Sequence, residues 1–128
     1  MRITRNRRAL IGALMLLAAC APATRNGAAV APSRDVYLSV DNHNWLDVSI
    51  YALRGTSRTR IGQVTGNGSA QLRIPSTAIV AGQVRLMADA IGSNERFVTD
   101  VISVDPDQRV QLWLAPTMRM SSYALRHR

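Results

Sequence analysis

The sequence predicts an all-β domain, a single seven-stranded antiparallel β-sandwich over residues 35–115. Three observations carry that reading: apolar residues recur with period two from Asp35 onward, turn-forming residues punctuate them every 8 to 14 positions, and nothing after residue 34 keeps a 3.6-residue period. Short strands separated by turn chemistry build two packed sheets when one face of each is apolar. A small closed barrel is the alternative closure.

Val36, Leu38 and Val40 alternate with Tyr37, Ser39 and Asp41 as a half-buried first strand. Asp41 to Asn44 (Asp-Asn-His-Asn) supply a turn, and Leu46, Val48, Ile50 and Ala52 alternate with Trp45, Asp47, Ser49 and Tyr51 as a second strand. After the turn Arg54 to Ser57, a weaker third strand over 58–64 has Ile61 and Val64 as its apolar members. Thr65-Gly66-Asn67-Gly68 is a hairpin signal, because Asn and Gly tolerate positive φ. Ala70, Leu72 and Ile74 form the fourth strand, stopped by Pro75, and a helical turn is expected over 76–80. Val84, Leu86 and Ala88 make the fifth strand, residues 97–104 the sixth, and Val110, Leu112 and Leu114 the seventh, closed by Pro116. The pattern resembles the immunoglobulin-like and prealbumin-like sandwiches of envelope proteins, including carboxypeptidase-regulatory-like modules, although the Cys-Trp-Cys signature of antibody domains is absent. Residues 116–128, with Met118, Met120, Tyr123 and Leu125 among Arg and Ser, read as a tail that frays or covers a sheet edge.

The N-terminus has a different grammar. Residues 1–8 carry Arg2, Arg5, Arg7 and Arg8 and no acid, and residues 9–19 are apolar before Cys20. That is the order of an export signal, and the run is too short for a permanent membrane span, which needs about 20 apolar residues. Leu17-Ala18-Ala19-Cys20 resembles the lipobox of bacterial lipoproteins. The resemblance implies removal of residues 1–19 as a signal peptide and acylation of Cys20. It also implies a lipid anchor that holds the protein to a membrane, since each buried methylene contributes about 0.8 kcal/mol. Ala21, in place of the aspartate that retains such proteins at the inner membrane, favours the outer membrane, facing the periplasm. Arg7-Arg8-Ala9-Leu10-Ile11 also resembles the core of a twin-arginine export signal. Residues 20–34, small and proline-bearing, read as the lipidated cysteine and a flexible tether with a root-mean-square span of about 20 Å.

The formal net charge of +8 falls to +4 without the leader, twelve arginines then standing against eight acids. Arg54, Arg58, Arg60, Arg73, Arg85, Arg96 and Arg109 lie on separate segments without interleaved aromatics, which disfavours nucleic acid as a partner and leaves weak attraction to anionic lipid or polysaccharide. The lone cysteine permits no internal disulfide.

Chemistry is sparse. His43 and His127 are the only histidines, one in a turn and one in the tail, and no nucleophile-elbow pattern occurs. Asp41, His43 and Asp47 are the nearest approach to a zinc set, and Asp41, Asn42, Asn44 and Asp47 the nearest to a calcium loop. Neither has the required ligand pattern, and the residues read better as turn formers. Asp89 and Asp100 are the carboxylates that strand pairing could bring together. No cofactor, metal or catalytic residue is expected. The residues left as a candidate ligand surface are Trp45, Tyr51 and Trp113, each predicted on the face opposite its strand's apolar members. The sequence therefore points to a membrane-anchored, non-enzymatic envelope lipoprotein serving as an interaction or structural module. The alternative is a module that binds anionic glycan or peptide through those aromatics and arginines.

Overall fold

A computed structural model of the chain describes residues 35–127; Cys20 and the segments read as leader and tether lie outside the described residues. Nine strands follow in order: β1 (Val36–Asn42), β2 (Val48–Arg54), β3 (Ser57–Val64), β4 (Ser69–Ile74), β5 (Gln83–Ala90), β6 (Arg96–Val98), β7 (Ile102–Ser103), β8 (Gln108–Leu114) and β9 (Ser122–His127). Two 3-10 turns, Ser76–Ala78 and Met118–Met120, interrupt them, the first within the expected helical turn.

The described residues are all-β, as the period-two pattern predicts, but with nine strands in two sheets where seven were expected. The first sheet runs β4-β1-β8-β9, and the second runs β3-β2-β5-β6 with β7 also on β5. Alternation does the packing. Val36, Leu38, Val40, Val110, Leu112 and Leu114 turn inward from the first sheet, and Val48, Ile50, Val84, Leu86 and Ala88 from the second, into one common core. Each Val, Leu or Ile among them contributes about 1.5–3 kcal/mol of transfer free energy when fully buried.

Three differences from the sequence reading have physical causes. The expected sixth strand is two short strands, because Thr99 occupies both sides of Leu86. Its N–H donates to the Leu86 carbonyl (2.9 Å), while its Oγ1 accepts the Leu86 N–H (3.0 Å) and donates to the Asp100 carbonyl (2.8 Å). A side chain thus replaces a ladder bond, and Asp100 and Val101 are pushed into solvent between β6 and β7. The second is at the C-terminus, where the tail covers a sheet edge as a regular strand: β9 pairs antiparallel with β8 from Trp113 opposite Ser122 to Gln108 opposite His127. Fully buried Met118 fixes the connection, and Ser121 Oγ accepts the Ala115 N–H (3.0 Å). The third is direction: β1 and β8 are parallel, so the sheet is mixed rather than wholly antiparallel. Alternation marks which face is buried and carries no information about direction.

Candidate functional site

The three aromatics predicted as a ligand surface are not brought together. Trp45 lies in the β1–β2 loop rather than on β2, and 75% of it is exposed. Tyr51 points outward from the second sheet, half-buried, with the Arg58 guanidinium 5.1 Å from its ring centre. Trp113 points outward from the first sheet, 41% exposed, its ring 5.4 Å from that of His43 at a tilt of 43°. Tyr51 and Trp113 therefore occupy outer faces of different sheets, with the core between them. Strand alternation finds outward residues but cannot say which sheet a strand joins.

The cluster between Asp41 and Asp47 is structural. Asn42 and Asn44 are only 2% and 1% exposed. The Asn42 amide donates to the carbonyls of Leu46 and Thr65 (both 2.9 Å), and its Oδ1 accepts the Asn44 N–H (3.0 Å). The Asn44 amide donates to the Pro116 carbonyl (2.9 Å), and its Oδ1 accepts the Leu46 N–H (2.9 Å). Asp47 Oδ1 accepts the Gly66 N–H (2.9 Å). These bonds tie the β1–β2 loop to the β3–β4 hairpin and to the chain leaving β8. Gly66 is needed there because a Cβ at that position would stand 2.2 Å from the Trp45 carbonyl oxygen. Of the four residues read as the nearest approach to a calcium loop, Asn42 and Asn44 commit their Oδ1 atoms to backbone N–H groups, Asp47 accepts from the Gly66 N–H and Gln63, and Asp41 accepts from Gln111. Among the described residues no three His, Cys, Asp or Glu side chains converge closely enough to hold a metal ion.

Nor do Asp89 and Asp100 meet. Asp89 stands opposite Ser49 and Arg96, whereas Asp100 sits in the break between β6 and β7. His43 and His127 lie on different segments, His43 beside Trp113 and His127 at the end of β9.

What pairing does assemble is cationic. Tyr37 on β1 is the register partner of Arg73 on β4 and of Arg109 on β8, and Arg109 is the partner of Arg126 on β9. Four residues from four strands thus form one row across the outer face of the first sheet, about 14 Å from end to end at the usual strand spacing. Both Arg73 and Arg109 lean on the Tyr37 ring, their guanidinium carbons 5.2 and 5.9 Å from its centre, and Arg73 donates to the Tyr37 hydroxyl (3.3 Å). Arg126 donates through Nε to Gln111 Oε1 (2.9 Å). Ser39, Arg109, Gln111, Arg126 and His127 line a groove beside the row.

No carboxylate among the described residues pairs with these arginines. Asp35 receives the Ser76 N–H (3.0 Å) and Asp41 the Gln111 amide (3.5 Å). Directly opposed like charges such as Arg109 and Arg126 disfavour the folded state and favour a bound anion. In the sequence these arginines are 36 and 17 residues apart, and Arg126 lies in what reads as a tail, so only the parallel β1–β8 pairing reveals the row.

No protein-family model matches the chain, and no curated protein is detectably similar to it in sequence. Among the described residues no helix is long and apolar enough to cross a membrane.

Proposed function

We propose that the chain is a bacterial envelope lipoprotein, anchored through acylated Cys20, whose all-β domain is a non-enzymatic interaction module. The observation that supports the module most directly is the row of Arg73, Arg109 and Arg126, exposed and without carboxylate partners among the described residues, while the buried Asn42 and Asn44 at the other end of β1 are committed to backbone. The address rests on the order of basic residues, apolar run and Leu17-Ala18-Ala19-Cys20. Outer membrane facing the periplasm is the favoured location, given Ala21. A protein or glycan of the envelope is the kind of partner such a module takes.

The test of the address is intact-mass analysis of the protein extracted from its native membranes. Acylation at Cys20 with loss of residues 1–19 is expected, and Cys20→Ser is expected to release the protein from the membrane fraction. An unmodified thiol or a retained leader contradicts it.

A second reading, a module for anionic glycan or peptide, draws on the tilted contact of Trp113 with His43, Trp113 sharing the first sheet's outer face with the arginines. Binding to an acidic glycan array that is lost in Trp113→Ala and retained in Tyr51→Ala is the expected signature; equal loss in both contradicts it.

A further inference from the structure

We infer that the row of Arg73, Tyr37, Arg109 and Arg126 is a phosphate-binding surface that seats the headgroups of anionic phospholipid, so that the domain lies with its first sheet against the membrane. The inference rests on the proposed lipid anchor for its geometry and on the sheet register for its chemistry.

The chemistry comes first. A guanidinium presents a planar fork of donors that matches phosphate oxygens two at a time. Tyr37 holds two of these forks on one ring, and Gln111 holds the third, so little freedom remains to be lost when an anion arrives. The strands that carry the three cations span about 14 Å, so the charges form a row rather than a ring around a point. A single small anion cannot span a row of that length. An array of phosphates in a plane can satisfy all three, and that is what a bilayer surface offers.

Position argues the same way. Tyr37 is the second residue of β1, so the row crosses the sheet at the end where the chain arrives from Cys20. On the reading of residues 20–34 as a tether, a span of about 20 Å keeps that end within reach of the headgroups. The second sheet makes an internal contrast. There Arg96 stands opposite Asp89, Arg85 donates to the Thr99 carbonyl (3.4 Å), and Arg60 donates to Gln63, which in turn donates to Asp47. On that face an acid stands directly opposite an arginine, whereas the acid on the first sheet's outer face, Asp41, reaches Arg126 only through Gln111.

The experiment uses the protein purified from its own membranes and reconstituted into vesicles of neutral phosphatidylcholine, with or without phosphatidylglycerol. Arginine modification by a dicarbonyl reagent is read by mass spectrometry. Arg73, Arg109 and Arg126 are expected to react about tenfold more slowly on the anionic vesicles, with Arg58 and Arg85 of the second sheet unchanged as internal standards. In the Cys20→Ser form, which lacks the anchor, replacing all three arginines of the row by Gln is expected to weaken binding to anionic vesicles by about a hundredfold, at roughly fivefold per cation. Equal reactivity on both vesicle types overturns the inference, and so does equal protection of both sheets. Protection by millimolar inorganic phosphate alone, matching that of the vesicles, also overturns it, since the row would then be a site for the free ion. Flotation with neutral vesicles reads the anchor independently. Its failure removes the proposed acylation, while protection on anionic vesicles still decides the row.

Discussion

The two ends of β1 use polar residues in opposite ways. At its C-terminal end, Asn42 is buried and, with Asn44 just beyond, joins three segments distant in sequence through hydrogen bonds to backbone. At its N-terminal end, Tyr37 carries two arginines from neighbouring strands on an open face, with a third beyond. The first arrangement lowers the free energy of the fold, because buried amides left without partners are costly. The second raises it by opposing like charges, which is the mark of a surface kept for contact with something else. Polar clusters that look alike as residue types are told apart by burial and by what their hydrogen bonds reach.

The comparison can be strained hardest at Gly66 and Asn44. Gly66→Ala places a Cβ against the Trp45 carbonyl where backbone has to move, and loss of cooperative unfolding at ambient temperature is the expected outcome in a circular dichroism melt. Asn44→Ala removes two hydrogen bonds and strands the Leu46 N–H and the Pro116 carbonyl, a destabilisation of about 2–4 kcal/mol in urea titration. A loss under 1 kcal/mol would show that water replaces the amide. Thr99→Val keeps the shape but leaves the Leu86 N–H without its acceptor, and about 1–2 kcal/mol of destabilisation is expected, with faster amide exchange at Leu86.

How much of this was legible beforehand follows from what each pattern encodes. The inward set of β1, β2, β5 and β8 was readable, because alternation reports which face is apolar, and Thr65 to Gly68 was readable as a turn because its residues suit turn geometry. For Met118 and Tyr123 the sequence leaves fraying and edge-covering open, and only the pairing of β9 with β8 decides it, with Met118 fully buried and Tyr123 packed on the core. Asn42 and Asn44 looked like ordinary turn formers, since nothing local announces a hydrogen bond from Asn44 to Pro116, 72 residues away. The arginine row was invisible for the same reason. It exists only through a parallel pairing of strands that lie far apart in the chain.

Smaller effects sharpen the other side. Ala81 holds a φ of 51° in the two-residue turn between Val80 and Gln83, near the Val36 end of the fold, so Ala81→Gly is expected to stabilise by about 0.5–1 kcal/mol in thermal melts. A loss of stability there would mean that Gly's extra freedom in the unfolded chain outweighs the relieved strain.

The most direct measurement sets the two ends of β1 against each other in one experiment: urea unfolding of Asn44→Ala beside the triple variant Arg73→Gln, Arg109→Gln, Arg126→Gln, at low salt. The account predicts a fall of several kcal/mol in unfolding free energy for the first, and no fall, or a small gain, for the second. A triple variant that unfolds as easily as Asn44→Ala would contradict it, because the row would then be part of what holds the domain together.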